Sequence, residues 1–439
     1  MNKDLACQHL CEMIRIPTIS SFEAGEENEA VFTMFYDYLE KTYPHIYEKA
    51  DFKRIGRRGL LFHIKGQDSS RSCVLMAHYD VVSADAADWK VDPFGGIMDD
   101  EFIYGRGTLD TKCSFCAVME SVDDFLANDG NFKNDVYLAF SGEEEVEGES
   151  AHEIALYLEE QGIRPYMVLD EGGAVIPEGV PGMAVETAMI GVAEKGLVNM
   201  KLTIRGKAGH ASVPPKKTVT GRLAKAITAI EKHPFPGQIT PATEAMFKYI
   251  GKAKGGPVGL AFRSIRLLKL PVIWLAGRMG GTFNAMVRST AVATMLKGAD
   301  SYPILPGEVS AGLNVRLLGK DNMTDMMARL KQIINDPDMS LEIINGSNPS
   351  PISRSEGPCW EMIEELVSQV WPGDLCVPYT MNGATDSRHF HTICDCVYKF
   401  TPAVMDKHQR ASVHGIDEQI RVDEWKKMLV FYEKLMQRL

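Results

Sequence analysis

Histidine and carboxylate side chains recur where apolar runs of this sequence break off, and together they are the equipment of a divalent-metal site. The run ending in Val74, Leu75 and Met76 stops at His78, Tyr79 and Asp80. His78 is a candidate ligand and Asp80 its orienter, because a ligating imidazole gives its second N–H to a carboxylate that fixes tautomer and ring direction. Alone, His-x-Asp is weak, since a strand-end histidine satisfied by its neighbour is as good a reading. Further along, Asp110 sits in GRGTLDTK, Glu143, Glu144 and Glu145 follow VYLAF, Asp170 and Glu171 follow MVL, and His414 lies in SVHGIDE. A single acid at a strand end is ordinarily a helix cap or a solvated turn, and Glu145 and Glu171 are read that way. Several such sites converging on one sheet edge are different, because clustered carboxylates repel unless a cation compensates them.

Such a cluster needs strands that end together. Leu5, Leu10, Met13 and Ile14 sketch one amphipathic helix, and Val31, Phe35 and Leu39 another. Strands are expected over 60–64, 73–76, 136–140 and 167–169, with helices over 114–126 and near 154–158. This alternation implies an α/β fold, a mostly parallel sheet with helices on both faces, whose strand ends are where ligands collect. The pattern then changes. Val198, Met200, Leu202 and Ile204 alternate with polar residues, as do Val309, Ala311, Leu313, Val315 and Leu317, so these strands have one wet face and belong to an antiparallel sheet. A loop-like stretch over 345–358 carries the chain back, and a helix through Trp425, Leu429 and Leu435 closes it. The expected organisation is a discontinuous catalytic domain, residues 1–194 and 351–439, interrupted by a domain at 195–350.

Composition narrows the class. A chain of 439 residues with 45% hydrophobic and 24% charged content is a soluble globular protein of two domains. A net charge of −12 argues against nucleic acid as partner. No run of eighteen apolar residues and no signal-peptide core occurs, so neither a membrane nor export is expected and the location is read as cytoplasmic. Nine cysteines then read as free thiols. Cys113 and Cys116 have the spacing of a redox or zinc motif, but one such pair on a helix without a second is read as core packing.

The strings HYDVV, PFGG, YGRGTLDTK, SGEEEVEG, VLDEGG, GHASVPP, FNAMVRST, NGATDSRHF and SVHGIDE occur in that order. From about residue 70 to 420 the chain resembles the dinuclear zinc metallopeptidase and amidohydrolase family of carboxypeptidase S, glutamate carboxypeptidase, aminoacylase, acetylornithine deacetylase and succinyl-diaminopimelate desuccinylase. It is most similar to the carboxypeptidase S and N-acyl amino acid hydrolase branch. The resemblance implies a zinc-exopeptidase-like catalytic domain with an inserted α+β ferredoxin-like lid or dimerisation domain, and a homodimer. It implies two divalent ions per subunit, zinc ahead of cobalt or manganese. His78 and Asp170 would serve one ion, Glu144 and His414 the other, with Asp110 bridging. Glu143 would be the general base. His210 would reach the partner's active site and stabilise the oxyanion, while Arg316, Arg388 and Asn284 would bind substrate, the arginines through its carboxylate.

Two departures from the family pattern bear on specificity. Pro303 stands where relatives often carry an asparagine, and Gly383, Ala384 and Thr385 replace a Gly-Gly-Thr run. The implied activity is hydrolysis of an amide or peptide bond next to a free carboxylate, in dipeptides or N-acyl amino acids. A deacylase of a biosynthetic intermediate is the alternative enzyme. An inactive metal-binding scaffold is the alternative from another class, and it should have lost a ligand or the base.

Overall fold

In a computed structural model, residues 1–22, 25, 27–179 and 185–439 are described. They divide into two compact units: Met1–Val192 with Ser353–Tyr379 and Thr385–Leu439, and Ala193–Ile352 with Thr380–Ala384. The short segment Thr380–Ala384 clusters with the second unit although it lies outside 195–350. Lys195 donates its backbone N–H to Met381, and Arg316 donates to the Asn382 carbonyl.

The first unit is built on a nine-stranded mixed sheet. Its centre is parallel: Asp68–His78 lies between Asn134–Ser141 and Met167–Asp170, and Val397–Lys399 pairs with the latter. Outside them Gly59–Ile64 and Asp51–Ile55 run antiparallel. Residues 72–78 are buried without alternation, as expected of a strand covered on both faces. One cover is the helix Ser150–Glu160, whose Ile154, Ala155 and Leu158 pack on Val74, Met76 and Tyr137. The helix Lys112–Ala127 also packs on the central strand, and Val422–Met436 packs on that helix.

Cys113 and Cys116 are buried free thiols in the helix Lys112–Ala127. The Tyr43 hydroxyl lies 3.6 Å from Cys116 Sγ, a core contact. The 345–358 stretch is shorter as a loop than its composition suggests. Asn345 and Gly346 still pair in the strand Met339–Gly346, and Pro358 opens the helix Pro358–Val370, where a missing N–H costs nothing.

The second unit carries a four-stranded antiparallel sheet in the order Thr290–Lys297, Glu308–Leu317, Gly196–Arg205, Met339–Gly346. Helices Val219–Lys232 and Met323–Ile334 cover one face through Leu223, Ile230, Met326 and Leu330. Chain order and spatial order make this ferredoxin-like. Between the first helix and the strand Thr290–Lys297 the chain adds four helices, Pro241–Lys254, Gly256–Arg263, Lys269–Met279 and Gly281–Met286, for which the alternation argument offers no place.

Candidate metal centre

The parallel strand Asp68–His78 delivers His78, and the packing of Tyr79 fixes the backbone immediately beyond it. Tyr79 is fully buried, stacks on Phe35 at 5.0 Å, and donates its hydroxyl to the Arg58 carbonyl at 2.6 Å. Such an aromatic pair contributes about 0.5–1.5 kcal/mol beyond its area. A Cβ at Gly142 would lie 2.3 Å from that ring, so the SGEEEVEG turn approaches it only because residue 142 is glycine.

Asp80 then organises two turns at once. His78 Nδ1 lies 3.1 Å from the Asp80 carbonyl oxygen and 3.3 Å from its Oδ1. The same carboxylate accepts the backbone N–H groups of Glu144 and Glu145, both at 3.1 Å, and the Ser20 hydroxyl at 2.7 Å. Asp80 therefore sets the directions in which those glutamates leave the chain.

Asp110 is the centre of the arrangement. Its Oδ1 lies 3.0 Å from His78 Nε2 and its Oδ2 3.0 Å from His414 Nε2. Glu145 Oε2 lies 2.8 Å from the same His414 nitrogen. Ligand atoms of His78, Asp110 and Glu171 fall within 4.8 Å of one another, as do those of Asp110, Glu145 and His414. The two triads share Asp110. His414 sits at φ +56°, a left-handed conformation that histidine adopts more readily than bulkier side chains.

Three residues picked out from the sequence each have a neighbour that also meets the cluster. Glu144 was expected to serve His414, but Glu145 faces that ring. Glu143 was expected to be the base, but its buried Oε1 accepts Ser150 N–H at 2.9 Å and Ser150 Oγ–H at 2.7 Å. It thus satisfies an orphan donor at the start of the helix Ser150–Glu160. Gly148 leaves room for it, since a Cβ there would lie 2.2 Å from Glu143 Cγ. Asp170 was expected to serve His78, but its Oδ1 accepts Glu171 N–H at 2.9 Å and its Oδ2 accepts Ser387 N–H at 3.1 Å. Glu171 is the residue grouped with His78 and Asp110.

The electrostatics call for a cation. Burial pulls His78 down, but Asp110 and Asp80 outweigh it and raise it well above the usual imidazole value. Asp110 and then Glu145 raise His414 to about 10. Burial raises Glu144 well above the carboxylate range, His78 opposing while Asp386, Glu171 and Asp110 add to it. Burial likewise lifts Asp386 to about 7, against the Ser141 hydroxyl and with Asp170 adding. In addition, Glu145 Oε1 is buried with no hydrogen-bond partner. A cluster of carboxylates that raises its histidines and leaves a carboxylate oxygen orphaned is a donor set suited to divalent ions.

One positioning residue was not singled out from the sequence. Glu418 is fully buried, its Oε2 accepting from Arg106 Nη1 at 2.6 Å and its Oε1 accepting the N–H groups of Gly107, Leu109 and Asp110 at 3.1, 2.7 and 3.2 Å. It shapes the GRGTLDTK loop and hence the aim of Asp110. Only its place in SVHGIDE, four residues after His414, hinted at it. Glu418→Ala strands the buried Arg106 and is expected to cost about 3–5 kcal/mol. Urea unfolding measures this, and a loss under about 1 kcal/mol would show that the loop does not depend on the pair.

The remaining residues fall in both units. Arg388, half-buried in the first unit, donates Nε–H to His389 Nε2 at 3.3 Å. In the second unit Arg316 donates to Asn314 Oδ1 and the Asn382 carbonyl, and Asn284 has a buried Oδ1 without a partner. His210 is exposed in a short strand opposite Ile304, its Nδ1 2.7 Å from Ser212 Oγ.

Residues 74–438 match the family described as peptidase family M20/M25/M40. The chain is 30% identical over 437 residues to a probable carboxypeptidase S-like 2 of Dictyostelium discoideum, covering 98% of this chain and 84% of that one. It is also 30% identical over 430 residues to the N-fatty-acyl-amino acid synthase/hydrolase PM20D1 of Xenopus tropicalis, covering 97% and 84%. Among solved structures, an M20 family metallo-carboxypeptidase, Sso-CP2 of Sulfolobus solfataricus, superposes with a TM-score of 0.72 at 19% identity, over 100% of this chain and 99% of that one.

Proposed function

The chain belongs to peptidase family M20/M25/M40, and on that premise we propose that this hydrolase cleaves an amide bond next to a free carboxylate, in a dipeptide or an N-acyl amino acid. The observation that carries the reading is Asp110, whose two carboxylate oxygens face His78 on one side and His414 on the other. We assign His78, Asp110 and Glu171 to one divalent ion and Asp110, Glu145 and His414 to a second, zinc suiting this mixed imidazole and carboxylate set, with cobalt and manganese as alternatives. When bound, such a pair of ions polarises the scissile carbonyl and makes water a competent nucleophile at neutral pH.

Glu144 is the general base in this reading. Its carboxylate is close enough to feel His78, Asp110 and Glu171, yet it belongs to neither triad. It takes the proton of the attacking water and returns it to the leaving nitrogen. Asp80 keeps Glu144 and Glu145 pointing in their separate directions. Arg388 anchors the substrate carboxylate, where a planar guanidinium fork offers two parallel hydrogen bonds. Arg316 and Asn284 are secondary candidates for the same task, and the exposed His210 is assigned to the oxyanion in a partner copy of a homodimer. A cytoplasmic placement is supported by the cysteines, all nine of which are free thiols.

The carboxypeptidase S-like and N-fatty-acyl-amino acid relatives support this substrate class. The test compares an N-acyl amino acid with its C-terminal amide. Amidation leaves the anchoring arginine unpaired and is expected to lower kcat/KM by about a hundredfold or more. Equal rates on the two would remove the carboxylate from the reading and favour a different amidase.

A further inference from the structure

The four added helices of the second unit have a composition unlike the rest of the chain. Between Glu244 and Asp300 there are nine lysines and arginines and not one aspartate or glutamate, in a protein whose net charge is −12. The helix Lys269–Met279 buries Ala276 and turns Ile273 onto Gly237. Its other side carries Leu270, Trp274 and Arg278 at successive i, i+4 positions, with Leu275 and Met279 beside them, so large apolar groups face outward on one stripe. Leu270 is 71% exposed, Trp274 60%, and Leu267, in the connection before the helix, 85%. Arg263 and Lys269 are exposed alongside, Arg266 is exposed but paired with Glu244, and the Arg278 guanidinium sits 4.6 Å from the centre of the Trp274 ring.

We propose that this helix and the connection before it dock on the surface of an anionic lipid bilayer. An outward apolar stripe in water is unfavourable and marks an interaction surface. Charge decides which kind. The core of a protein interface is depleted in charge, whereas here leucine and tryptophan are interleaved with cations of one sign. A two-fold contact with a second copy would set this patch against itself, cation against cation. Nucleic acid would meet the arginines and leave Leu267, Leu270 and Leu275 in water. An anionic bilayer meets both: apolar side chains enter the headgroup boundary, tryptophan sits at headgroup level, and arginine and lysine stems reach back to lipid phosphates. No helix among the described residues is long and apolar enough to cross a membrane, which fits a helix that lies on the surface. The lack of a spanning segment, from which no membrane partner was expected, leaves such a contact open.

The full-length protein is tested by flotation with vesicles of phosphatidylcholine alone and of phosphatidylcholine with about a third phosphatidylserine. Co-flotation is expected only with the anionic vesicles, and added salt should weaken it. Trp89, Trp360, Trp371 and Trp425 are buried, so Trp274 is the reporter. Its emission should shift to the blue on binding, and W274F should lose the shift while still floating. The pair L267S and L270S, and separately the pair R263E and K269E, should each cut the bound fraction by about tenfold. Both are surface changes, and each variant should keep the wild-type melting temperature and hydrolysis rate in solution. Failure to float, equal binding to neutral vesicles, selective capture by nucleic acid in competition with anionic vesicles, or a vesicle-free self-association abolished by the same substitutions would each overturn the proposal.

Discussion

Glu144→Gln is expected to lower kcat by about two to four orders of magnitude while metal content stays unchanged. The expectation comes from where three consecutive glutamates point. Glu143 is turned to the start of the helix Ser150–Glu160, and Glu145 meets His414. Glu144 feels the charges of His78, Asp386, Glu171 and Asp110 without joining either triad. Glu143→Gln keeps an acceptor for Ser150 and should leave kcat within about tenfold. Glu143→Ala removes a buried acceptor and should cost about 1–3 kcal/mol of stability instead. Single-turnover kinetics on metal-loaded protein separates the cases. A Glu144→Gln enzyme of near wild-type rate, or a Glu143→Gln enzyme that is dead but fully folded and loaded, would reverse the assignment.

The same variant tests the assembly. If His210 is an oxyanion donor, His210→Ala should cost about two to three orders of magnitude in kcat. If His210 works in the partner's site, a mixed dimer of Glu144→Gln and His210→Ala subunits holds one doubly impaired site and one intact site. Half the dimers are mixed after random exchange, so activity should rise towards about a quarter of wild type. Mixing without recovery, where subunit exchange is demonstrated, would place His210 in its own chain's chemistry or outside it altogether.

These residues also show what a sequence can and cannot say. The strand ends were legible because Val74–Met76, Val136–Phe140 and Met167–Leu169 are apolar runs that stop at acids or histidine, and a buried parallel strand has that signature. Two-period alternation likewise exposed the second unit's sheet. What could not be read was the direction of a side chain within a turn. In Glu143, Glu144 and Glu145 the choice is made by Asp80, 64 and 65 positions before the two residues whose N–H groups it accepts, and by Ser150, which captures the carboxylate of Glu143. In Asp170 and Glu171 it is made by Ser387, which draws Asp170 away. Glu418 escaped because its partner Arg106 lies 312 positions earlier. In each turn, hydrogen bonds to residues outside it set which way adjacent carboxylates point. The helices over 256–279 were missed for another reason: their outward faces carry Val258, Leu260, Leu270, Trp274, Leu275 and Met279, so the inward stripe that marks an ordinary surface helix is blurred.

Asp110→Ala is expected to abolish activity and to leave the chain with neither ion, because both triads need it. Glu171→Ala and Glu145→Ala should each leave one. Elemental analysis reads the three outcomes directly, and an Asp110→Ala protein that keeps both ions would end the bridging assignment. Proton release gives a second readout, independent of turnover. Without an ion, Asp110 and Glu145 hold His414 up to about 10, and Asp110 and Asp80 raise His78 well above its usual value. His414 is therefore protonated at about pH 7.5, and an ion entering its side of the site must displace that proton. Because binding releases protons, affinity rises with pH and stops rising only when the pH passes the histidines' raised values. Calorimetric titration of the chelator-treated protein with zinc, in two buffers of different ionisation enthalpy, should show proton release as the sites fill. His414→Ala should lower that release and remove the ion that Glu145 shares. Binding with no proton release at that pH would mean that the histidines are neutral before the ion arrives, and the carboxylates would then have to be balanced by some group other than His78 and His414.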